Sequence, residues 1–195
     1  MFFKQYDAII SGRERRCCKV RKGLVIVFTG SGKGKTSAAL GIALRASGHK
    51  YYVSIVQFVK GNSRTGEARA VERLKPEVEF LPMGKGFVNM GKSDVSLEEH
   101  REAAQAALAV ARKRMLSGAW DILILDEINT ALALGLIALD DVLNLIANRP
   151  RKLHIVLTGR DAHPAVIEVA DLVTEMKNIK HPFDSGIFAQ QGIDF

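Results

Sequence analysis

The chain has 195 residues, with 28 Lys and Arg against 21 Asp and Glu for a formal charge of +7; 47% of its residues are hydrophobic and 25% charged. That balance suits one globular α/β-sized domain and excludes a disordered or fibrous chain; at this length about 70% of the unfolded surface is buried without help from disulfides. The longest stretch without a polar side chain, residues 131–139, falls far short of the ~20 residues of a membrane span.

The adjacent Cys17 and Cys18 have no third cysteine with which to build a disulfide framework or a thiolate zinc site, and they read as incidental. A reduced, cytoplasmic setting is the expectation. Residues 1–22 hold seven cations, including Arg13, Arg15 and Arg16, against Asp7 and Glu14, so the rest of the chain carries only +2. The basicity belongs to an N-terminal arm, which leaves 23–195 as a single domain with no nucleic-acid or membrane partner expected. The apolar segments 2–3 and 8–10 are too short for the core of a signal peptide.

In chain order, residues 23–28 (GLVIVF) read as a buried strand and 35–47 as a helix with Gly48 at its end. Residues 51–58 (YYVSIVQF) predict a second strand, 63–74 a helix and 78–81 a third strand. Residues 83–95 carry no period and read as a long loop, a feature often functional in compact domains. Ser96 and Glu99 have capping-box spacing, and Leu97, Ala104, Leu108, Ala111 and Met115 predict an apolar stripe running to about 116. A fourth strand is expected at 122–126, a helix around 139–147, a fifth strand at 153–158, a helix at 164–170 and a sixth strand at 172–176. The tail 180–195 has no clear period. Strands alternating with helices imply an α/β fold with a mostly parallel sheet covered on both faces and ligands beyond the carboxyl ends of the strands.

The motifs stand at those ends. Thr29, Gly30, Ser31, Gly32, Lys33, Gly34, Lys35 and Thr36, with Ser37 following, lie between the first strand and the first helix. With Lys35 as anchor the run matches a phosphate loop, Gly34-Lys35-Thr36, with Thr29 in place of the leading Gly. Anchoring on Lys33 instead would put Gly34, which has no hydroxyl, after the lysine. Glycines let backbone N–H groups converge on phosphate oxygens, and the helix N-terminus adds its dipole. Lys35 supplies charge for the terminal phosphates and Thr36 a hydroxyl for Mg²⁺. A turn that bound nothing would leave Lys33 and Lys35 repelling each other.

Residues 122–127 (ILILDE) form a hydrophobic strand ending in Asp126, where nucleotide folds place a carboxylate for Mg²⁺. Glu127 is compatible with a general base of an ATP hydrolase, and these generic motifs do not exclude that reaction.

Beyond them the chain resembles the ATP:corrinoid adenosyltransferase family of the phosphate-loop type. The resemblance rests on 29–37 (TGSGKGKTS), 56–61 (VQFVKG), 83–87 (MGKGF), 125–129 (LDEIN), 158–160 (TGR) and the tail 180–195 (KHPFDSGIFAQQGIDF), all in the family's order across 23–195. The family's loop also carries Thr where the generic pattern has Gly. The resemblance implies a RecA-like P-loop fold and a homodimer. It implies transfer of the 5′-deoxyadenosyl group of ATP to the Co(I) centre of a corrinoid (cobyrinic acid a,c-diamide, cobinamide or cobalamin), releasing tripolyphosphate. An electron donor or reductase must then supply Co(I) from Co(II).

Because Co(I) is itself the nucleophile, no side chain need remove a proton, and the protein's task is aiming and charge stabilisation. On this resemblance Lys35 and Glu127 are the catalytic pair. Thr36 and Glu127 are the Mg²⁺-site residues, with Asp126 supporting them. Phe87 matches the first aromatic of a loop that packs under the corrin, while the second, typically Trp, falls on Asn89, a departure from the family. Arg160 is a candidate for a phosphate or corrin side chain. Phe183, Phe188 and Phe195 read as packing residues, and His181, a lone histidine in the tail, gives no evidence for a cobalt ligand. A RecA-like ATP hydrolase and an ATP-binding regulator without turnover remain the competing readings.

Overall fold

Six of these apolar runs become the strands of one parallel sheet in the computed structural model, which describes residues 22–59, 61, 65–86 and 95–194. They are β1 (Val25–Thr29), β2 (Val53–Gln57), β3 (Val78–Pro82), β4 (Ile122–Asp126), β5 (His154–Thr158) and β6 (Leu172–Glu175), ordered β3-β2-β4-β5-β1-β6. Every neighbouring pair is parallel. The helices are α1 (Lys35–Gly48), α2 (Gly66–Val71), α3 (Leu97–Leu116), α4 (Ile128–Ala133), α5 (Leu139–Ala147) and α6 (Pro164–Glu168). This is the parallel α/β fold that the alternation of elements implies, and it is consistent with the RecA-like P-loop fold that the resemblance implies.

Two apolar layers sandwich the sheet. On one face Ala39, Ala43 and Ala46 of α1 meet Ile55, Ile124 and Val156; on the other, Ala104, Ala107 and Ala111 of α3 join α5 and α6 over Val56, Leu123 and Leu157. Alanine at the contact positions lets both helices lie close to β-branched strand residues, and each fully buried Leu or Ile contributes roughly 1.5–3 kcal/mol. Central strands β2 and β4 are buried along their whole length, which explains why they are mostly apolar, with Ser54, Gln57 and Asp126 as their buried polar residues. Edge strand β6 is exposed throughout.

The capping box forms as the spacing predicts: Glu99 N donates to Ser96 Oγ at 3.2 Å and Ser96 N to Glu99 Oε2 at 2.9 Å. Leu97 does not join the α3 stripe. It is 51% exposed at the first helical position, and His100 takes the buried place one turn on. The helix expected over 63–74 is shorter, capped by Thr65 and ending in a 3-10 turn, Glu72–Leu74. Helix α4 has no counterpart in the sequence reading. It is only six residues long, with Asn129 and Thr130 ahead of an apolar run that continues past its end, so too few turns are present for a helical period to show. The tail holds one 3-10 turn, Pro182–Ser185. Among the described residues no helix is long and apolar enough to cross a membrane.

Topology sets the geometry of the functional edge. Strand β5 separates β1, which leads into the glycine-rich loop, from β4, which carries the acidic pair. Two strand spacings put about 10 Å between those strand ends, a gap that side chains must bridge.

Candidate active site

The glycine-rich loop is shaped by contacts only glycine permits. Gly30 has φ 97°, and a Cβ on it would stand 2.5 Å from the Met176 carbonyl oxygen; Gly34, at φ 108°, turns the chain into α1. The loop hangs on the end of β6: Met176 N donates to Thr29 O at 2.8 Å and Gly32 N to Met176 O at 2.6 Å. Lys35 curls back over it, its Nζ donating to Gly30 O at 2.6 Å and Gly32 O at 2.7 Å, with 7% of the residue exposed. Burial pushes the Lys35 ammonium below the ordinary lysine range, against the opposing pull of Glu127. Such a buried cation gains from any anion the loop receives.

The carboxyl ends of β2, β4 and β5 converge on Asp126, which is 1% exposed. Gln57 lies opposite Asp126 in the sheet register, and its Nε2 donates to Oδ2 at 2.8 Å. The hydroxyls of Thr158 and Thr36 donate to Oδ1 at 2.7 and 2.9 Å. Three donors thus hold one carboxylate, and Thr36 bridges the strand gap from the first turn of α1. Because the Thr36 proton is committed to Asp126, its lone pairs are free to meet a cation.

Glu127 breaks the strand in the left-handed region, φ 62°, at a cost of order 1 kcal/mol for a residue with a Cβ. Its N–H donates to Thr158 Oγ1 at 2.9 Å, and its carboxylate accepts from the Thr130 hydroxyl. The turn aims Glu127 into a cleft of about 1150 Å³ beyond the sheet edge, lined by residues 31–37, Glu127, Thr130 and Arg160 with Val59, Gly84 and Gly86 opposite. That volume exceeds the usual 300–1,000 Å³ of small-molecule sites.

A hydroxyl and two carboxylates beside the glycine-rich loop are hard oxygen donors, the set Mg²⁺ takes together with substrate phosphates. Among the described residues no group of three His, Cys, Asp or Glu side chains could hold a metal alone; an ion here would draw on waters and substrate phosphates as well. The residues present fit a magnesium–nucleotide site.

Comparison with known proteins decides among the nucleotide folds. The model of the ATP:corrinoid adenosyltransferase BtuR/CobO/CobP family matches residues 21–195. This chain belongs to that family. A corrinoid adenosyltransferase of Pseudomonas aeruginosa is 42% identical over 174 residues, covering 89% of this chain and 84% of its own. Those of Escherichia coli K12 and Salmonella typhimurium are 40% and 39% identical over 175 residues, each covering 89% of this chain and 86% of its own.

Of the family positions singled out from the sequence, Thr29 to Ser37, Asp126, Glu127 and Arg160 come together at the sheet edge, although Thr29 turns its Oγ1 to accept from Ala162 N at 3.1 Å. Phe87, Asn89 and Phe195 lie outside the described residues. Phe183 and Phe188, expected to pack, are instead 65% and 79% exposed, because the tail runs over the surface and not into either core. His181 lines the cleft, where its Nδ1 caps the 3-10 turn by accepting from Phe183 N at 3.1 Å. Sequence reasoning missed Gln57, Thr130 and Thr158. Their signal was a polar side chain at, or one turn past, the carboxyl end of an apolar strand.

Proposed function

We propose that this chain transfers the 5′-deoxyadenosyl group of ATP to the Co(I) centre of a corrinoid and releases tripolyphosphate. The family match over residues 21–195 carries the reading. The cleft is compatible with it, being large enough for two substrates. The carboxylates also suit a reaction that needs no general base: Asp126 accepts three hydrogen bonds and Glu127 is held by Thr130.

In this reading Lys35, Lys33 and the loop amides bind the triphosphate and stabilise charge on it as it leaves. Thr36 and Glu127 would hold Mg²⁺, with Asp126 orienting Thr36. The ion, when bound, neutralises part of the triphosphate charge. Phe87, Asn89 and Arg160 serve the corrinoid side, and holding both substrates in one cleft would bring the 5′-carbon and the cobalt together. A cytoplasmic homodimer supplied with Co(I) by a separate electron donor completes the proposal, with residues 23–195 as one catalytic domain and 1–22 as a basic arm.

An anaerobic assay with chemically reduced cob(I)alamin, ATP and Mg²⁺ tests it. A light-sensitive adenosylcobalamin spectrum with stoichiometric tripolyphosphate is expected. ADP and orthophosphate without a cobalt–carbon product would replace this reading with ATP hydrolysis.

A further inference from the structure

Two threonines join the end of β5 to the acidic pair, and only one of them touches the carboxylate that faces the cleft. Thr130 sits in the first turn of α4, three residues after Glu127. Its hydroxyl donates to the Glu127 carboxylate and accepts from Arg160 N at 3.1 Å. A threonine hydroxyl has one proton, so its direction is set: the Arg160 amide orients the oxygen and the oxygen orients Glu127. Gly159, φ 132°, makes the approach possible, since a Cβ there would lie 2.7 Å from Thr130 N and 2.9 Å from its Oγ1.

We propose that Thr130 is the positioning residue for Glu127, locking the carboxylate of a side chain with three rotatable bonds into the orientation that meets the metal–triphosphate. The glycine between Thr158 and Arg160 exists to let that threonine in. This inference rests on the reading of Glu127 as a metal-site residue. A freely rotating glutamate would bind a cation more weakly, because ordering it would then be charged to the binding step, and loss of such supporting hydrogen bonds typically lowers metal affinity or activity 10- to 100-fold.

The test compares Thr130→Val, which keeps the shape and removes the hydroxyl, with Thr130→Ser, which keeps the hydroxyl, and with Gly159→Ala, which displaces Thr130 from the other side. Mn²⁺ binding to the enzyme–ATP complex is followed by electron paramagnetic resonance without corrinoid. Turnover with cob(I)alamin and thermal melting are measured in parallel. Thr130→Val and Gly159→Ala should each weaken Mn²⁺ binding at least tenfold and lower kcat with KM for the corrinoid unchanged. Their double variant should be little worse than either, and Thr130→Ser should stay within about threefold of wild type. Wild-type Mn²⁺ affinity in Thr130→Val overturns the proposal, as does a Thr130→Ser loss equal to that of Thr130→Val. If wild-type enzyme makes no adenosylated product, the functional reading fails, while the Mn²⁺ titration still decides the role of Thr130.

Discussion

The Thr36 hydroxyl donates to Asp126 Oδ1 across 2.9 Å, tying the first turn after the phosphate loop to the end of a strand 90 positions later. Asp126 can therefore act through Thr36 without touching a ligand, and charge and shape at this position are separable. Asparagine keeps an acceptor for Thr36 and Thr158, and Gln57, whose Oε1 has no partner among the described residues, can turn its amide to accept from the new NH₂. Asp126→Asn should fold with nearly wild-type stability yet lose at least tenfold in kcat. Asp126→Ala strands three donors and should lose about 3 kcal/mol in urea denaturation. Wild-type turnover in Asp126→Asn would make the buried charge dispensable.

Lys35 is held by the Gly30 and Gly32 carbonyls at 2.6 and 2.7 Å, so its ammonium shapes the loop as well as charging it. Lys35→Ala should abolish adenosyl transfer and weaken ATP binding at least 100-fold by calorimetry without corrinoid, the scale of two charge-assisted hydrogen bonds. Lys35→Arg should also lose more than tenfold, because a planar guanidinium cannot reproduce both short contacts in that buried space. Full activity in Lys35→Ala would refute the phosphate-loop assignment.

The legible parts of the sequence were those whose chemistry is local. The glycine-rich turn between β1 and α1, the Ser96–Glu99 cap and strand β4 each carry their signal within a few residues. Gln57, Thr130 and Thr158 acquire roles only through sheet order and register, which place Gln57 beside Asp126 and β5 between β1 and β4. A one-dimensional pattern does not encode that adjacency. Helix α4 was hidden for a different reason: at six residues it is less than two turns long, too short for a period to be read.

Asp171 offers a pH test at the opposite edge of the sheet. Val25 N donates to its carboxylate at 2.9 Å and Lys22 Nζ at 3.0 Å, with Arg149 3.7 Å away; the backbone N–H first, then Lys22, hold it below the usual aspartate range. The unfolded chain therefore binds a proton more readily than the native one. The contribution is complete above the ordinary value of 3.8 and disappears as pH falls through the lowered native value. In urea melts from about pH 5 down to pH 2, Asp171→Asn should show a shallower loss of stability than wild type, with KM for ATP unchanged at neutral pH. Parallel acid limbs would show that this cluster does not contribute to the pH dependence.

Asp194, in the C-terminal tail, pairs with Lys33 inside the phosphate loop while its Oδ2 accepts from Gln190 N at 2.7 Å. A carboxylate resting on a loop that suits phosphate competes with the triphosphate for the same cation. Lys33 is half exposed, and ion pairs of that kind contribute about 0–1 kcal/mol, so the competition is worth at most roughly fivefold in affinity. Asp194→Asn should tighten ATP binding two- to fivefold in low salt, and the gain should fade near 0.5 M salt as the charges are screened. Lys33→Ala should weaken binding and remove the effect of Asp194→Asn. Weaker binding in Asp194→Asn itself would instead make the tail carboxylate part of the nucleotide site, acting through an ion or a water and not against the phosphates.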